Sequence, residues 1–365
     1  TPGGGRAFIT PRLLGHFVLI GFTLLDDDNM CKIFQTIMEW KFGLDNYPQE
    51  VTGIAKKLVA GTLEMYKGAA EKLLPTPLKV HYTFNLRDFA KVIFGILLLD
   101  WKSCDGANRH IRLWTHEVFR VFGDRLVDQD DRQWLLSTMR ECTFKTFGVK
   151  FDELMKHLDT NKDGKVNTLD EFRGLFFSDM LSSPGAPKRP YQECDDQAAL
   201  QAKLEEHLQS FNMMSTKRMD LVLFLYAIEH LSRVARVMKS SGGNALLVGV
   251  GGSGRQSVSR LAAFMADKDV YQIEIIKGYD LSAWRDDIKK LLTKCGGKGE
   301  SSVFLFTDTQ IKSEGFVEDI NNLLNTGEVP NLFPADEKVQ LCEMVRAAAR
   351  QENKAPDGTP TQLFA

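Results

Sequence analysis

The sequence predicts an all-α unit followed by an α/β unit with a partial parallel sheet. Between about residues 27 and 130, apolar side chains recur every three or four positions, which is the spacing of helices that bury one face. From about residue 245, short apolar runs alternate with helical segments, which is typical of parallel α/β sheets. At 365 residues and 43% hydrophobic content, the chain is long and apolar enough for two or three domains with packed cores.

Five regions follow one another along the chain. Residues 1–25 are predicted to form a loop and the last strand of a preceding domain. Residues 26–146 are predicted to be all-helical, and Asp26 is expected to cap the first helix. A helix–loop–helix is predicted over 147–181, a proline-rich linker over 182–200 and the α/β unit over 201–365. In the last two regions, helices are predicted at 195–208, 221–238, 256–266, 281–293 and 315–325, and strands at 245–248, 270–276 and 302–307.

Composition and charge exclude several classes of function. The formal net charge of -2, from 46 basic and 48 acidic residues, provides no basic surface for nucleic acid or anionic lipid. Apolar runs such as residues 92–99 are too short to span a bilayer. The six cysteines include no Cys-x-x-Cys pair, which favours reduced thiols in a cytosolic compartment. We expect a segment of a longer polypeptide, because residues 1–5 are a loop with no preceding element and there is no initiating Met.

The most informative motif is the glycine-rich stretch that follows the first predicted strand of the α/β unit. Its four glycines allow a sharp turn and a close approach of the backbone to an anion. A predicted helix begins directly afterwards, so its first amides would point at that anion. The motif therefore predicts a site for a phosphorylated nucleotide. The candidate residues are Gly249, Val250, Gly251, Gly252, Ser253, Gly254, Arg255, Gln256, Ser257 and, from a later strand, Asp308.

Two kinds of nucleotide site share this spacing, and a tight turn without a ligand is a third interpretation. Gly-x-Gly-x-x-Gly fits a dinucleotide site, in which Glu274 would contact the ribose. The same residues fit a degenerate Walker A loop, with Arg255 in the place of Lys and Gln256 in the place of Ser or Thr. The apolar run at 302–307 ends in Asp308, as a Walker B strand does, and this favours a nucleoside triphosphate with Mg²⁺.

A second motif predicts a cation-binding loop of EF-hand type. Its ligands would be Asp159, Asn161, Asp163, Asp170 and the carbonyl oxygen of Lys165, and Asn167 fits the ninth position of the loop. Gly164 allows the sharp turn, and Val166 would anchor the loop in a core. Because the twelfth position is Asp where EF-hands have Glu, we expect the loop to bind Mg²⁺, or Ca²⁺ weakly. A solvated acidic turn is the alternative.

Several motifs together resemble axonemal dynein heavy chains, and they cover nearly the whole sequence. They are Pro-Gly-Gly-Gly-Arg at 2–6, Thr-Pro-Arg-Leu-Leu at 10–14, Leu-Pro-Thr-Pro at 74–77, Phe-Asn-Leu-Arg-Asp-Phe at 84–89, the glycine-rich stretch at 246–257 and Phe-Leu-Phe-Thr-Asp-Thr-Gln at 304–310. The resemblance implies that residues 1–25 end the large subdomain of a third AAA+ module and that 26–146 are its helical small subdomain. Residues 201–365 would begin the large subdomain of the fourth module. The insertion at 147–181 is similar to that of certain single-headed inner-arm chains.

The resemblance implies a ciliary microtubule motor that uses ATP or ADP with Mg²⁺ and moves toward the microtubule minus end. Its partners would be microtubules, other dynein chains and the neighbouring AAA+ modules of the same chain. Its location would be the cytoplasm and cytoskeleton, in the axoneme of cilia or flagella. Residues 249–256 would then hold the nucleotide phosphates of the fourth module, and Asp308 would contact Mg²⁺ through water.

The resemblance also implies roles for three arginines, Arg6, Arg12 and Arg87. Arg87 resembles the sensor arginine that reports the nucleotide state of the third module. Arg6 and Arg12 lie where such modules keep the arginine finger that reaches into a neighbouring site, and the sequence does not distinguish between them. Gly15 stands where the family often has another arginine, so one basic contact is expected to be lost. For each arginine, an ordinary surface or helix-pairing role is the alternative.

Three departures from an active site predict slow or absent hydrolysis. The planar fork of Arg255 does not reproduce the compact ammonium of a P-loop Lys. Gln256 is a poorer Mg²⁺ ligand than Ser or Thr, and Ser257 lies about 100° further around the helix. Thr309 stands where a hydrolytic AAA+ site would carry Glu. Two other classes of function stay open at this point: a nicotinamide-dependent oxidoreductase and a cation-binding structural scaffold.

Overall fold

The computed structural model describes residues 9–23, 25–99, 101–103, 106–159, 161–166, 168–183, 186, 189–240 and 242–351. The chain divides into a first unit, residues 1–169, and a second unit, residues 170–365. None of the helices in the described residues combines the length and the apolar content that crossing a bilayer requires.

The first unit is helical, as predicted. Its helices are α1 (Pro11–Leu14), α2 (Asp27–Leu44), α3 (Gln49–Lys72), α4 (Leu86–Ile96), α5 (Ala107–Val118), α6 (Gln129–Cys142) and α7 (Phe151–Leu154). A π-helical turn continues α5 over Phe119–Gly123, and another continues α6 over Thr143–Phe147. Short 3₁₀ turns lie at Trp101–Ser103 and Lys156–Leu158.

Two helix starts of this unit carry polar caps. The carboxylate of Asp26 accepts a hydrogen bond from the backbone N–H of Asn29 at 2.9 Å, which confirms the predicted cap of α2. At the start of α4, Asn85 and Asp88 form a reciprocal capping box. Both arrangements satisfy amides that a helix start leaves without an intrahelical acceptor. Each cap contributes about 1 kcal/mol.

Helix α3 is central to the core of the first unit and contacts α2, α4, α5 and α6. Leu58 and Met65 on this helix are completely buried. Trp114 of α5 is also completely buried, and its indole N–H donates to the hydroxyl of Thr62 at 3.0 Å. Gly61 permits this approach, because a Cβ at that position would lie 3.1 Å from the Trp114 ring. The helices are therefore held by one interlocked aromatic and aliphatic core.

The N-terminal strand that the sequence predicts is absent from the described part of residues 1–25. After α1, residues 16–23 are irregular, and Val18 and Phe22 are 89% and 94% exposed. A strand requires a neighbouring backbone to pair its N–H and C=O groups. These residues have no such neighbour among the described residues, so the apolar pattern alone does not produce a strand.

The second unit contains helices and two small sheets. Its helices are α8 (Leu169–Phe172, which begins at the last residue of the first unit), α9 (Gln197–Met214), α10 (Leu225–Lys239), α11 (Arg255–Met265), α12 (Leu281–Leu292), α13 (Glu314–Thr326) and α14 (Ala335–Gln351). Strands β1 (Phe177–Ser178) and β2 (Gln192–Glu193) pair antiparallel. Strands β3 (Asp269–Tyr271) and β4 (Ser302–Phe304) pair in parallel, with Val270 opposite Val303.

The parallel sheet has fewer and shorter strands than the sequence predicts. Residues 245–248 form no strand: Leu246 and Val248 are 90% and 85% exposed, and no described strand pairs with them. Of the predicted strand 270–276 only residues 270 and 271 lie in β3, and of the predicted strand 302–307 only residues 302–304 lie in β4. The reason is the same as at the N-terminus, since regular strand geometry ends where ladder pairing ends.

The region predicted to be a linker, 182–200, contains regular secondary structure among its described residues. It contains β2, and α9 begins at Gln197. Tyr191 and Cys194 are only 2% and 3% exposed, and the Cys194 N–H donates to the Phe176 carbonyl at 2.9 Å. Because these two side chains are buried, the C-terminal part of residues 182–200 packs against the rest of the second unit.

Two cores position the elements of the second unit. Helices α9, α10 and α11 bury Leu204, Leu231 and Leu261 against one another. Around the parallel sheet, Trp284 stacks on Phe316 with ring centroids 4.5 Å apart and planes 6° apart. The first core fixes α11, whose N-terminus adjoins the glycine-rich stretch. The second fixes β4, which leads to Asp308.

Candidate nucleotide-binding site

The glycine-rich stretch forms a tight turn that leads into α11. Gly252 and Gly254 have φ of +77° and +74°, in the left-handed region that side chains with a Cβ rarely adopt. Gly254 is the N-cap of α11, and its carbonyl accepts from the Val258 N–H at 2.9 Å. The predicted sequence of a glycine turn followed by a helix is thus confirmed at the level of the backbone.

Amides at the start of α11 are available for an anion. Arg255, Gln256 and Ser257 are the first three helical residues, and helical geometry gives their N–H groups no intrahelical acceptor. The positive end of the helix dipole lies at the same place. The turn itself is open: a Cβ added at Gly251 or Gly252 would have no protein atom within 4 Å. Together these groups make a solvent-accessible cradle that suits phosphate oxygens.

The side chain of Arg255 folds back across this turn. Its Nη2 donates to the Val250 carbonyl at 3.2 Å, and its Cδ would lie 3.7 Å from a Cβ added at Gly249. A Cβ at Gly249 would also lie 3.3 Å from the Ser253 hydroxyl, so Gly249 leaves room for the turn to close. The guanidinium therefore places a positive charge beside the cradle. Gln256, by contrast, is exposed on the first turn of the helix.

Asp308 lies just beyond β4, as predicted for an acidic residue at the C-terminal end of a parallel strand. It begins a 3₁₀ turn, Asp308–Gln310, and is exposed. Its neighbour Thr309 is also exposed, with its hydroxyl 3.0 Å from that of Thr307. A carboxylate oxygen is a ligand that Mg²⁺ prefers, and the amide oxygen of Gln256 is a weaker one. The chemical types of these side chains are therefore compatible with a nucleotide phosphate bound together with Mg²⁺.

Gln310 is a structural residue of this site that the sequence analysis missed. It is 5% exposed, and its Oε1 accepts from the Thr307 N–H at 2.7 Å and from the Thr307 hydroxyl at 3.0 Å. Its Nε2 donates to the Ile273 carbonyl. The spacing Thr-x-x-Gln is that of a capping box and could have drawn attention to it.

The three arginines considered for sensor or finger roles belong to the first unit. Arg87 lies in the first turn of α4, where its N–H donates to Asn85 Oδ1 at 2.9 Å and its side chain is exposed. Arg12 lies in α1 and is exposed. Arg6 falls outside the described residues. Glu274, the ribose ligand of the dinucleotide alternative, is exposed beyond the end of β3.

In the predicted cation loop, side chains accept hydrogen bonds from described backbone N–H groups. The Asp159 carboxylate accepts from the N–H groups of Asp163 and Gly164, at 3.2 and 2.9 Å. Asn161 Oδ1 accepts from the Asp163 N–H at 3.0 Å, and Asp163 Oδ1 accepts from the Lys165 N–H at 2.7 Å. Gly164 has φ of +80°, as its predicted role in the turn requires.

Val166 anchors this loop in the first unit, as predicted. Its side chain is completely buried. Its N–H donates to Asp152 Oδ1 at 2.9 Å, and its carbonyl accepts from Arg140 Nη1 at 2.8 Å. Arg140 and Asp152 also pair with each other at 2.6 Å. Both backbone groups of this buried residue are therefore satisfied by one ion pair.

The flanks of the cation loop differ from the predicted pair of helices. The entering helix is a single turn, α7, followed by a 3₁₀ turn, although Leu154 and Met155 are buried as predicted. The exiting helix α8 is four residues long. Asp170 begins the second unit, where its carboxylate is 3.5 Å from Arg173 Nη1, and Asn167 falls outside the described residues.

Two protein-family profiles match the chain. One is described as the P-loop containing dynein motor region D4 and matches residues 219–365, which include the glycine-rich stretch and Asp308. The other is described as an AAA+ lid domain and matches residues 58–158 of the helical unit.

Curated relatives match over almost the whole chain. Dynein axonemal heavy chain 3 of Mus musculus is 46% identical over 363 residues, which is 100% of this chain and 9% of the relative. The Homo sapiens protein of the same name is 44% identical over the same share of each chain. Dynein axonemal heavy chain 1 of Homo sapiens is 40% identical over 365 residues, 97% of this chain and 8% of the relative. The chain thus spans less than a tenth of the length of these relatives, and it belongs to the axonemal dynein heavy chain family.

Proposed function

We propose that the turn at 249–254 and the first amides of α11 bind the phosphates of ATP or ADP in a ciliary microtubule motor. The observation that carries this proposal is the pair of left-handed glycines, Gly252 and Gly254, which lead directly into the uncapped amides of α11. Asp308 and Gln256 would hold Mg²⁺, which when bound neutralises phosphate charge. The P-loop description of the matching profile supports this function over the dinucleotide alternative.

Within the same proposal, this site regulates the motor and contributes little turnover. Arg255 keeps a positive charge at the turn, so ground-state binding of phosphates is retained. Thr309 has a hydroxyl where a water-polarising carboxylate would be needed, and that hydroxyl lies against Thr307. The consequence is a pocket whose nucleotide state changes slowly. Such a pocket suits a role in passing conformational strain between neighbouring AAA+ modules.

Site-specific labelling of the complete heavy chain tests nucleotide binding. A photoreactive azido-ATP should label the peptide that contains residues 245–265, and unlabelled ATP or ADP should compete while NAD should not. Gly254→Ala should weaken this labelling about tenfold or more, because the left-handed backbone is unfavourable for Ala by roughly 1–2 kcal/mol and the turn must relax. Gly278→Ala is the matched control, since Gly278 has φ of +85°, open space around it and no part in the site. Equal labelling of both variants and the parent would overturn the proposal.

The hydrolytic defect has its own test. Arg255→Lys, Gln256→Ser and Thr309→Glu, combined, should restore the side chains of an active site. We expect faster loss of the γ-phosphate from azido-ATP bound at this peptide in a single turnover. Unchanged hydrolysis with unchanged binding would show that these three departures are not the cause of slow turnover.

We further propose that the loop at 159–165 binds Mg²⁺, or Ca²⁺ weakly. The support is the chelate-like backbone around Asp159 and the left-handed Gly164. Calorimetric titration with each cation should show binding that Asp159→Ala removes. Asp45→Ala, which removes a carboxylate paired with Lys41 elsewhere in the first unit, is the control. Binding that survives Asp159→Ala would contradict the proposal.

The remaining parts of the proposal follow from the family. Relatives are named axonemal heavy chains, and we propose the same ciliary location for this chain, with microtubules and other dynein chains as partners. Minus-end-directed movement of the complete heavy chain is part of the same proposal. A gliding assay with polarity-marked microtubules would test it, and plus-end-directed movement would refute it. Arg87, and Arg6 or Arg12, remain the proposed sensor and finger residues of a neighbouring nucleotide site.

A further inference from the structure

Gln310 occupies an unusual place in the ladder between β3 and β4. The register pairs Tyr271 with Phe304, and the Leu305 N–H donates to the Tyr271 carbonyl at 2.9 Å. If the parallel ladder continued, the Ile273 N–H would donate to the Leu305 carbonyl, and beyond it the Thr307 N–H would donate to the Ile273 carbonyl. That bond is replaced by the side-chain amide of Gln310.

The amide of Gln310 bridges the two groups that the ladder would have joined. Its Oε1 accepts from the Thr307 N–H at 2.7 Å, and its Nε2 donates to the Ile273 carbonyl. One amide group therefore bridges the two strands at this point, and both the Thr307 N–H and the Ile273 carbonyl have a hydrogen-bond partner. The Thr307 hydroxyl gives Oε1 a second bond at 3.0 Å.

This bridge determines where Asp308 lies. Asp308 directly follows Thr307 and is closed into a 3₁₀ turn by Gln310, whose own N–H donates to the Thr307 carbonyl at 2.9 Å. Gln310 and Ile273 are 5% and 4% exposed, whereas Asp308 is exposed. A buried, fully bonded side chain thus fixes the base of a turn whose tip carries the only carboxylate of residues 302–310.

We propose that Gln310 is a positioning residue for the metal-binding carboxylate of the nucleotide site. This inference rests on the proposed function. It states that Gln310 holds the Asp308 carboxylate in the direction that metal binding requires. Without the inserted amide, the Thr307 N–H and the Ile273 carbonyl both lose their partner, and the turn at Asp308 is no longer held in place. The effect belongs to the Mg²⁺-dependent part of nucleotide binding, since the phosphate cradle at α11 uses other residues.

The test compares three variants of the complete heavy chain by azido-ATP labelling of the 245–265 peptide, with Mg²⁺ and with EDTA. In the parent, Mg²⁺ should strengthen labelling, and Asp308→Asn should remove this gain. Gln310→Leu should reduce the gain about fivefold or more while labelling in EDTA stays within about twofold, because misplacement of a ligand by about 1 Å is enough for such a loss. Gln310→Glu, which keeps the acceptor for Thr307 and loses the donor to Ile273, should fall between Gln310→Leu and the parent.

Hydrogen exchange at Thr307 serves as the second readout. Gln310→Leu should accelerate exchange of the Thr307 amide, while amides of α12 and α13 stay protected in a folded variant. A Gln310→Leu protein that exchanges faster at Thr307 yet keeps the parental Mg²⁺ gain would overturn the inference and leave the nucleotide site intact. A parent without labelling at 245–265 would overturn the proposed function, and the inference with it. Loss of labelling in EDTA as well as Mg²⁺ would show that Gln310 supports the whole unit, which also contradicts the inference.

Discussion

The contact between Val166 and the Arg140–Asp152 pair gives the sharpest prediction of local stability. Arg140→Met keeps much of the apolar stem but removes the bond from Nη1 to the Val166 carbonyl at 2.8 Å and the pairing with Asp152 at 2.6 Å. In this variant the Val166 carbonyl has lost its hydrogen-bond donor, although the side chain of the same residue is completely buried. We expect the cation loop to open more readily, because no other side chain among the described residues donates to this carbonyl.

The magnitude follows from the burial of the groups. A hydrogen bond from a charged donor contributes about 1.5–3 kcal/mol, and the ion pair adds about 0–1 kcal/mol, since Arg140 and Asp152 are both 27% exposed. After discounting for this exposure, we expect about 2 kcal/mol for opening of the loop, or roughly a 30-fold faster exchange of the Val166 amide. Hydrogen exchange of the chain, read by mass spectrometry with fragmentation, measures it.

Lys145→Met is the matched control for this prediction. Lys145 pairs with Glu64 at 2.7 Å, and the two side chains are 71% and 37% exposed. Its removal should change exchange at Val166 by less than about twofold, as expected for a surface pair. Equal effects of Arg140→Met and Lys145→Met would refute the claim that the first pair anchors the loop.

Two further predictions concern the buried polar groups of the helical unit. Thr62→Val leaves the buried Trp114 indole N–H without its acceptor and should lower the free energy of unfolding, measured by urea denaturation, by about 1–3 kcal/mol. The control Thr52→Val, at the exposed start of α3, should change the free energy of unfolding by less than about 0.5 kcal/mol. Similar losses in the two variants would contradict the assigned hydrogen bond. Burial lowers the pKa of His110 to about 4 from 6.5. The neutral form therefore stabilises the fold fully above pH 6.5, and this contribution is lost as pH falls toward 4. The free energy of unfolding should fall by up to about 1.4 kcal/mol per pH unit in this range, and His110→Phe should reduce this slope. An unchanged slope in thermal unfolding between pH 6.5 and 4 would refute that assignment.

The local features of this fold could be predicted from the sequence, because each depends on residues that are close together in the chain. The cap at Asp26, the left-handed glycines and the start of α11 each depend on residues within a few positions of one another. The prediction of a strand at 245–248 was wrong because strand formation depends on a non-local partner: an apolar run becomes a strand only when another backbone pairs with it. Its side chains remain exposed in the described chain.

The candidate site was predictable in its chemistry and only partly in its construction. The position of Asp308 just beyond β4 could be predicted from the pattern of its strand, because a continuous apolar run that ends in a carboxylate is typical of a Walker B strand; its role as a Mg²⁺ ligand stays a prediction. Gln310 was missed because its partner, Ile273, is 37 residues away and is brought near only by the parallel register. The anchoring of Val166 by Arg140, 26 positions earlier, was hidden for the same reason.

A density map of the complete heavy chain, prepared with ATP and Mg²⁺ by cryo-electron microscopy, tests the nucleotide site most directly. We expect phosphate density against the amides of residues 251–257, with the Asp308 side chain directed toward an ion beside it. A well-resolved turn that is empty, or filled by a protein side chain, would contradict the account.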